Sequence, residues 1–323
     1  MFQVLNRLCA LTLIFSAILF FGCTTTKNEI ADQPHLHQGN QYARDGLYRE
    51  AIDEYQKALQ NPLKVNAARR NMGMVYVKMG EFAKAEVELK KAIDFYQNNF
   101  ECNFYLGEAL RAQDKFADAI YHYQKADRIR RNDVKNLKSL AWAYFKIRYY
   151  SEALAVIRRV VKVRPKDEQG NIILSRTLLK LNKPGKALAV IRRAQKNADK
   201  QLTAYFQSVE GDILFEMGNA KRAEVAYKAA LKVKPLLAGA LLGLGRCQLQ
   251  DGKTQDAIKN MERAARIKPE MAQTQYFLAK AYEGIDKKKS VAHYKKFGRL
   301  AAADPEFLTK VTEVKQRISM LSK

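Results

Sequence analysis

A period of 34 residues runs through almost the whole 323-residue chain. Small residues mark its phase at Gly39, Gly73, Gly107, Ala141, Ser175, Gly211, Gly245 and Ala279. Every step is 34 residues except Ser175 to Gly211, which is 36. A fixed repeat of that length cannot be one globular core. It requires stacked supersecondary units, each of which buries its apolar face only against its neighbours.

Within each unit apolar residues recur at three- and four-residue spacings, the mark of amphipathic helices. In the second unit the pattern predicts a first helix from about Asn66 to Lys78, a turn at Met79, Gly80 and Glu81, and a second helix from about Phe82 to Tyr96. The second helices carry a small residue at Ala51, Ala85, Ala119, Ala153, Ala187, Ala223 and Ala257. Four residues on comes a large one: Tyr55, Leu89, Tyr123, Ile157, Ile191, Tyr227 or Met261. Three further on the side chain is usually alanine again, as at Ala58, Ala92 and Ala126. Small–large–small along one face lets neighbouring helices interlock. Pro165, Pro235 and Pro269 follow second helices as stop signals.

This pattern closely resembles the tetratricopeptide repeat. The resemblance implies an all-α, right-handed superhelical solenoid of about eight helix-turn-helix repeats over 32–302. The repeats fall at about 32–65, 66–99, 100–133, 134–167, 168–203, 204–237, 238–271 and 272–302, and a C-terminal capping helix lies in 303–323. The 36-residue step predicts a longer loop near Gln195 to Leu202. In the eighth repeat Tyr294 and Phe297 fit the pattern only if one residue is missing near Asp286 to Ser290.

Residues 1–22 read as a secretory signal. Arg7 is their one charge, an apolar run extends from Leu8 to Phe21, and Gly22 precedes Cys23. The apolar run is short for a membrane-spanning helix. Gly22 and Cys23 resemble the lipobox of bacterial lipoproteins, although Phe20 and Phe21 replace the usual leucine and small residue. The resemblance implies acylation of Cys23 and a tether over 23–31. An uncleaved signal anchor and simple secretion are the alternatives. Thr24 after the cysteine, where retention would ask for aspartate, implies the periplasmic face of the outer membrane.

Fifty-seven basic against 33 acidic residues give a net charge of +24. Such an excess favours acidic partners or a solvated basic surface. The clusters Arg128, Arg130 and Arg131, and Arg158 and Arg159, have two readings, contact with anionic lipid or plain solvation. Nucleic acid is not expected as a partner of an exported chain. Cys102 and Cys247 lie four repeats apart, too far for a disulfide, and are expected as free thiols packed inside helices.

In proteins with this repeat, partners bind mainly through set positions on the first helices, which line a concave groove. Carried over, the groove contains Phe104, Arg111, Lys138, Trp142, Phe145, Arg176 and Phe215. Trp142 is the one tryptophan of the chain, and tryptophan and arginine are the residues most often found at binding hot spots. Its other reading is packing against the adjacent repeat. A carboxylate clamp of the chaperone-binding type is missing: Leu36 stands where lysine is needed beside Asn40, and Trp142 where asparagine is needed beside Lys138.

No catalytic constellation, metal set or cofactor motif emerges. His35 and His37 point to different helix faces, and no phosphate loop, nucleophile elbow or HExxH stretch is present. The expected function is a non-catalytic scaffold or adaptor, anchored by lipid to the bacterial envelope, that holds envelope proteins in the groove. Narrower alternatives are a pilotin-like factor for type IV pilus or secretin assembly, and an accessory to peptidoglycan enzymes or polysaccharide export.

Overall fold

The computed structural model describes residues 34–322, apart from 197, 303 and 305. The signal segment, Cys23 and the tether lie outside these residues. The described residues form seventeen helices and no strand. The chain divides into two compact units, 1–129 and 130–323.

In the N-terminal unit the helices pair as α1 (Pro34–Asp45) with α2 (Tyr48–Ala58), α3 (Val65–Met79) with α4 (Phe82–Ile93), and α5 (Phe100–Ala112) with α6 (Phe116–Ile129). The C-terminal unit holds α7 (Val134–Lys146) with α8 (Tyr150–Val163), and α9 (Glu168–Lys180) with α10 (Pro184–Gln195). It continues with α11 (Lys200–Glu216) and α12 (Ala220–Val233), α13 (Ala238–Gln250) and α14 (Thr254–Ile267), and α15 (Ala272–Tyr282) and α16 (Lys287–Ala301). Helix α17 (Leu308–Leu321) packs on α16 as the expected cap.

Each second helix within a unit packs on the first helix of the next repeat. First helices also touch one another directly: α1, α3 and α5 in the N-terminal unit, and α7, α9, α11, α13 and α15 in the C-terminal one. The odd-numbered helices therefore form the closely spaced inner row of each stack.

The spacing inside each pair is set by a small residue facing a large one. A Cβ added to Gly73 would stand 2.5 Å from Leu89 Cγ, and one on Gly107 would stand 2.6 Å from Tyr123 Cε1. Tyr227 is hemmed in twice, by Gly211 in its own repeat and by Gly243 in the next. Where the first helix carries Ala141 or Ser175, the partner in register is the slimmer Ile157 or Ile191, and all four are fully buried. A methyl group on one helix is thus matched by a narrower side chain on the other.

The turn inside each of the first seven repeats follows one plan. The residue seven places after the small marker has positive φ: Gly46, Gly80, Asp114, Arg148, Asn182, Gly218 and Gly252. The next amide reaches back five residues to a carbonyl, as in Glu81 to Tyr76 (2.9 Å) and Lys253 to Gln248 (2.8 Å). This is a helix stop closed by a left-handed residue. Arg148, at φ 68°, holds it without glycine's freedom.

Three features differ from expectation or refine it. Helix α4 ends at Ile93, three residues before the predicted Tyr96. The two extra residues of the sixth repeat do not lengthen a loop. Helix α10 ends at Gln195 and α11 begins at Lys200, the same gap as between Val163 and Glu168. Instead α11 runs to 17 residues against 13 in α9. Asp199 caps the added turn by accepting the Leu202 amide at 2.7 Å. In the eighth repeat the second helix starts one residue early, and fully buried Ser290 takes the small-residue place, its hydroxyl donating to the Ala279 carbonyl at 2.9 Å.

A polar joint ties successive repeats in the N-terminal unit. Glu86, on α4, accepts from Lys90 (2.6 Å), Lys115 (2.7 Å) and Gln113 (2.9 Å), the last two from the α5–α6 turn. Burial alone would raise its carboxyl, but these three donors bring it down to about 2.

The interlock is tested at Gly73. Gly73→Ala is expected to destabilise the N-terminal unit by about 1–2 kcal/mol through overpacking. Adding Leu89→Ile, the partner found opposite Ala141 and Ser175, is expected to recover at least half of that loss. Urea unfolding of the three chains measures it, and a double variant no better than the single one would disprove the match of shapes.

Candidate binding face

The inner row divides into two kinds of position, and the division comes from the interlock. In the first, third and sixth repeats the large residue is a tyrosine that passes beneath the glycine. Its hydroxyl emerges one residue further along the first helix and donates there: Tyr55 to Asn40 at 2.9 Å, Tyr123 to Glu108 at 2.5 Å, and Tyr227 to Asp212 at 2.8 Å. Burial pushes the Tyr55 phenol up to about 12 and raises those of Tyr123 and Tyr227 as well. Asp212 is also raised by burial, against the pull of Arg176 and its bond from Tyr227.

Where the large residue is Leu89, Ile157, Ile191 or Met261, no hydroxyl arrives. The equivalent inner positions hold Met74, Trp142, Arg176 and Arg246. Three of these four lie in the C-terminal unit, and none of them is needed as a tyrosine acceptor.

The residues assigned to the groove from sequence divide between the units. In the N-terminal unit Phe104 stacks on Phe100 (5.8 Å, 5°) and meets Tyr105 edge-on at 5.2 Å. Arg111 donates to Glu108 at 2.9 Å. Both side chains are taken up largely by their own repeat.

In the C-terminal unit Trp142 lies parallel to Phe145, with ring centroids 5.5 Å apart, and Phe145 meets Tyr150 edge-on at 5.4 Å. Phe145 is itself buried, so it backs the tryptophan from below. Lys138 pairs with Asp167 at 3.0 Å. The other oxygen of Asp167 caps α9 by accepting from the Gly170 amide at 2.7 Å. Lys138 therefore fastens one repeat to the next. Arg176 is exposed on α9.

Phe215 is covered by Arg246, whose guanidinium lies 4.2 Å from its ring and 5.0 Å from that of Phe277. Arg246 also donates to Glu216 at 3.0 Å. Two aromatic rings and a carboxylate hold this arginine rigid.

Two contacts had no signal in the sequence. Lys146, one turn beyond Trp142 on α7, pairs with Asp304 at 2.6 Å. Lys180, one turn beyond Arg176 on α9, pairs with Glu306 at 2.6 Å. Both carboxylates come from the α16–α17 connection, 158 and 126 residues away in the chain. The tyrosine bonds, by contrast, did have a signal. In each case an acceptor follows the glycine and a tyrosine lies 15 residues further on.

Other titratable groups take part in local contacts. His35 bonds Glu54 at 2.6 Å. Burial lowers His122 to about 4, with Lys125 adding to the shift, and its Nδ1 lies 3.2 Å from Asn103 Oδ1. Cys102 and Cys247 are free, buried thiols, raised by burial to about 12 and about 11. At neutral pH they carry almost no reactive thiolate. Among the described residues no cluster of His, Cys, Asp and Glu is placed to hold a metal, and no helix is long and apolar enough to cross a membrane.

Comparison with known proteins agrees with this geometry. The tetratricopeptide repeat matches residues 70–134 and 209–282, and the tetratricopeptide repeat-like domain matches 139–236. The chain is a tetratricopeptide-repeat protein. A solved tetratricopeptide-repeat protein of Parabacteroides merdae superposes with a TM-score of 0.66 at 13% identity, over 77% of this chain and 98% of that one. Cut9, in its hetero-tetramer with Hcn1, superposes with a TM-score of 0.57 at 12% identity, over 84% and 52%. Both likenesses concern the fold. The sperm-associated antigen 1 of Rattus norvegicus is 31% identical over 100 residues, which is 31% of this chain and 11% of that protein. Tetratricopeptide repeats are generally non-catalytic scaffolds, and their fold is one of protein–protein interaction.

The Tyr227–Asp212 bond is tested by stability. Tyr227→Phe takes the phenol donor from the half-buried Asp212 and is expected to cost about 1 kcal/mol. Asp212 binds its proton more tightly folded than unfolded, so its contribution is full below its ordinary value of 3.8 and is lost as pH rises through the raised value. Asp212→Asn should therefore gain on the wild type with rising pH. Urea midpoints for both across that range measure it, and parallel pH curves would rule the burial effect out.

Proposed function

We propose that this tetratricopeptide-repeat protein is a non-catalytic adaptor that seats a segment of a partner protein along the inner helices of its C-terminal unit. The observation carrying this reading is the set Trp142, Arg176 and Arg246, at successive odd helices apart from the sixth repeat. Each stands where another repeat spends its side chain on a tyrosine hydroxyl. Trp142 is backed by Phe145, and Arg246 is held over Phe215, so both are ordered before a partner arrives. Preorganised aromatic and arginine side chains are the usual anchors of tight interfaces.

The adaptor works at the bacterial cell envelope, fixed by acyl chains on Cys23 to the periplasmic face of the outer membrane. The Leu8–Phe21 run and the Gly22–Cys23 junction support this part of the reading. Several buried acyl chains hold a protein on a bilayer stably. A tether of about ten residues reaches roughly 35 Å at most, which keeps the first repeat near the membrane surface.

Cross-linking in intact cells followed by purification tests both parts. The wild type is expected in the membrane fraction with a defined set of partners. Cys23→Ser is expected to leave that fraction, and Trp142→Ala to lose partners while keeping its location and fold. Recovery of a secretin would narrow the role to a pilotin-like one, and recovery of wall hydrolases to peptidoglycan. Unchanged partners with Trp142→Ala would refute the binding face, and no acyl label on Cys23 would refute the anchor.

A further inference from the structure

The connection between α16 and α17 carries two carboxylates onto the binding face of its own unit. Asp304 reaches Lys146 and Glu306 reaches Lys180, each at 2.6 Å. The two lysines hold the same place on successive inner helices, 34 residues apart. Each lies one turn beyond a proposed anchor, Trp142 or Arg176, and so on the same helix face. The acidic pair is presented from a turn: Asp304 accepts the Glu306 amide at 3.0 Å, and the Phe307 amide returns to the Asp304 carbonyl at 2.9 Å.

These ion pairs are not what fastens the cap. Helix α17 is held by an apolar cluster of Tyr276, Phe297, Ala301, Phe307 and Val314, and by Arg317, which forks onto Glu283 at 2.6 and 3.0 Å. Ala301 and Phe307 clamp the connection at both ends, and the side chains of Asp304 and Glu306 between them extend to the lysines. Lys180 and Glu306 keep 40% and 29% of their side-chain surface exposed, and Lys146 and Asp304 24% and 21%, so water and salt reach the first pair freely and the second in part. Pairs of this kind contribute little to stability and exchange readily.

The local charge on this face also has a consistent sign. Lys146, Arg176, Lys180 and Arg246 line it. Glu216 offsets Arg246 and Glu283 offsets Arg317, while Asp212 accepts from the neutral Tyr227 phenol and burial favours its uncharged form. The net positive remainder is what Asp304 and Glu306 neutralise.

We propose that Asp304 and Glu306 are a built-in stand-in for the partner, and that the partner is an acidic protein segment carrying two carboxylates two residues apart, which displaces them from Lys146 and Lys180. This rests on the adaptor reading and adds to it the chemistry of the ligand and a threshold for binding. A tethered competitor lowers apparent affinity by the fraction of time it occupies the site. A stray acidic peptide is refused, and one that also engages Trp142 and Arg246 gets in.

The test uses the full chain and a fluorescein-labelled peptide of repeating Asp-Gly-Glu, followed by anisotropy and by the fluorescence of Trp142. The variant Asp304→Asn/Glu306→Gln is expected to bind the peptide about tenfold more tightly than the wild type. A charge-matched control, Glu152→Gln/Asp256→Asn, removes two exposed acids on second helices and is expected to show little of that gain. Adding Lys146→Ala and Lys180→Ala to the first variant is expected to abolish the gain. Thermal unfolding confirms that each chain keeps its cap.

Equal peptide affinity for the wild type and the Asp304/Glu306 variant would overturn the proposal. So would an equal gain in the control, or a gain that survives loss of both lysines. A gain toward vesicles of anionic phosphatidylglycerol without one toward the peptide would also overturn it, in favour of a lipid ligand. Partner capture that depends on Trp142 while peptide affinity ignores Asp304 and Glu306 would keep the adaptor and discard the stand-in.

Discussion

The close approach of a small residue on one helix to a large one on the next is the constraint on which the rest of this protein depends. It sets the spacing within each repeat, and through Gly243 and Tyr227 it also reaches between repeats. Helices held this near leave no space for a free choice of side chain, so the shape at one position is matched by the shape at its partner. Gly73 with Leu89, Gly211 with Tyr227 and Ala141 with Ile157 are three solutions of one packing problem. The hydrophobic term supplies the driving force, but the match of shapes fixes a single arrangement.

The same constraint shapes the proposed binding face. A tyrosine chosen to fill the space under a glycine brings a hydroxyl to the inner surface, and that hydroxyl must be met. Asn40, Glu108 and Asp212 meet it and are thereby committed to the fold. A leucine, isoleucine or methionine in that place brings no such demand. Trp142, Arg176 and Arg246 follow from aliphatic packing one layer below. Core composition and the make-up of the inner surface are linked here through one atom, the tyrosine oxygen.

The helical pairs were legible because the period is strict, and the phase of the small residues carried over to the inner positions. The cap was legible too, since Phe307 to Leu321 is amphipathic and follows the last repeat. The added residues near Gln195 were visible as an insertion, but their fate was not. An insertion lengthens a loop or a helix according to where capping is best, and Asp199 decides that locally. The tyrosine bonds were readable at their fixed spacing. The pairs of Lys146 with Asp304 and Lys180 with Glu306 were not, because they arise from the curvature of a whole unit and have no local pattern.

The longer helix α11 bears on how such a chain finds its own order. Units that resemble one another can in principle stack one place out of step, skipping or exchanging a neighbour. Four extra residues at 1.5 Å each make α11 about 6 Å longer at its N-terminus than α9. A flanking repeat set against the wrong neighbour would meet this protruding turn with nothing shaped to receive it. Repeat six is thus set apart by length in a row of near-identical parts, and two neighbours cannot be exchanged across it without a mismatch of about one helical turn.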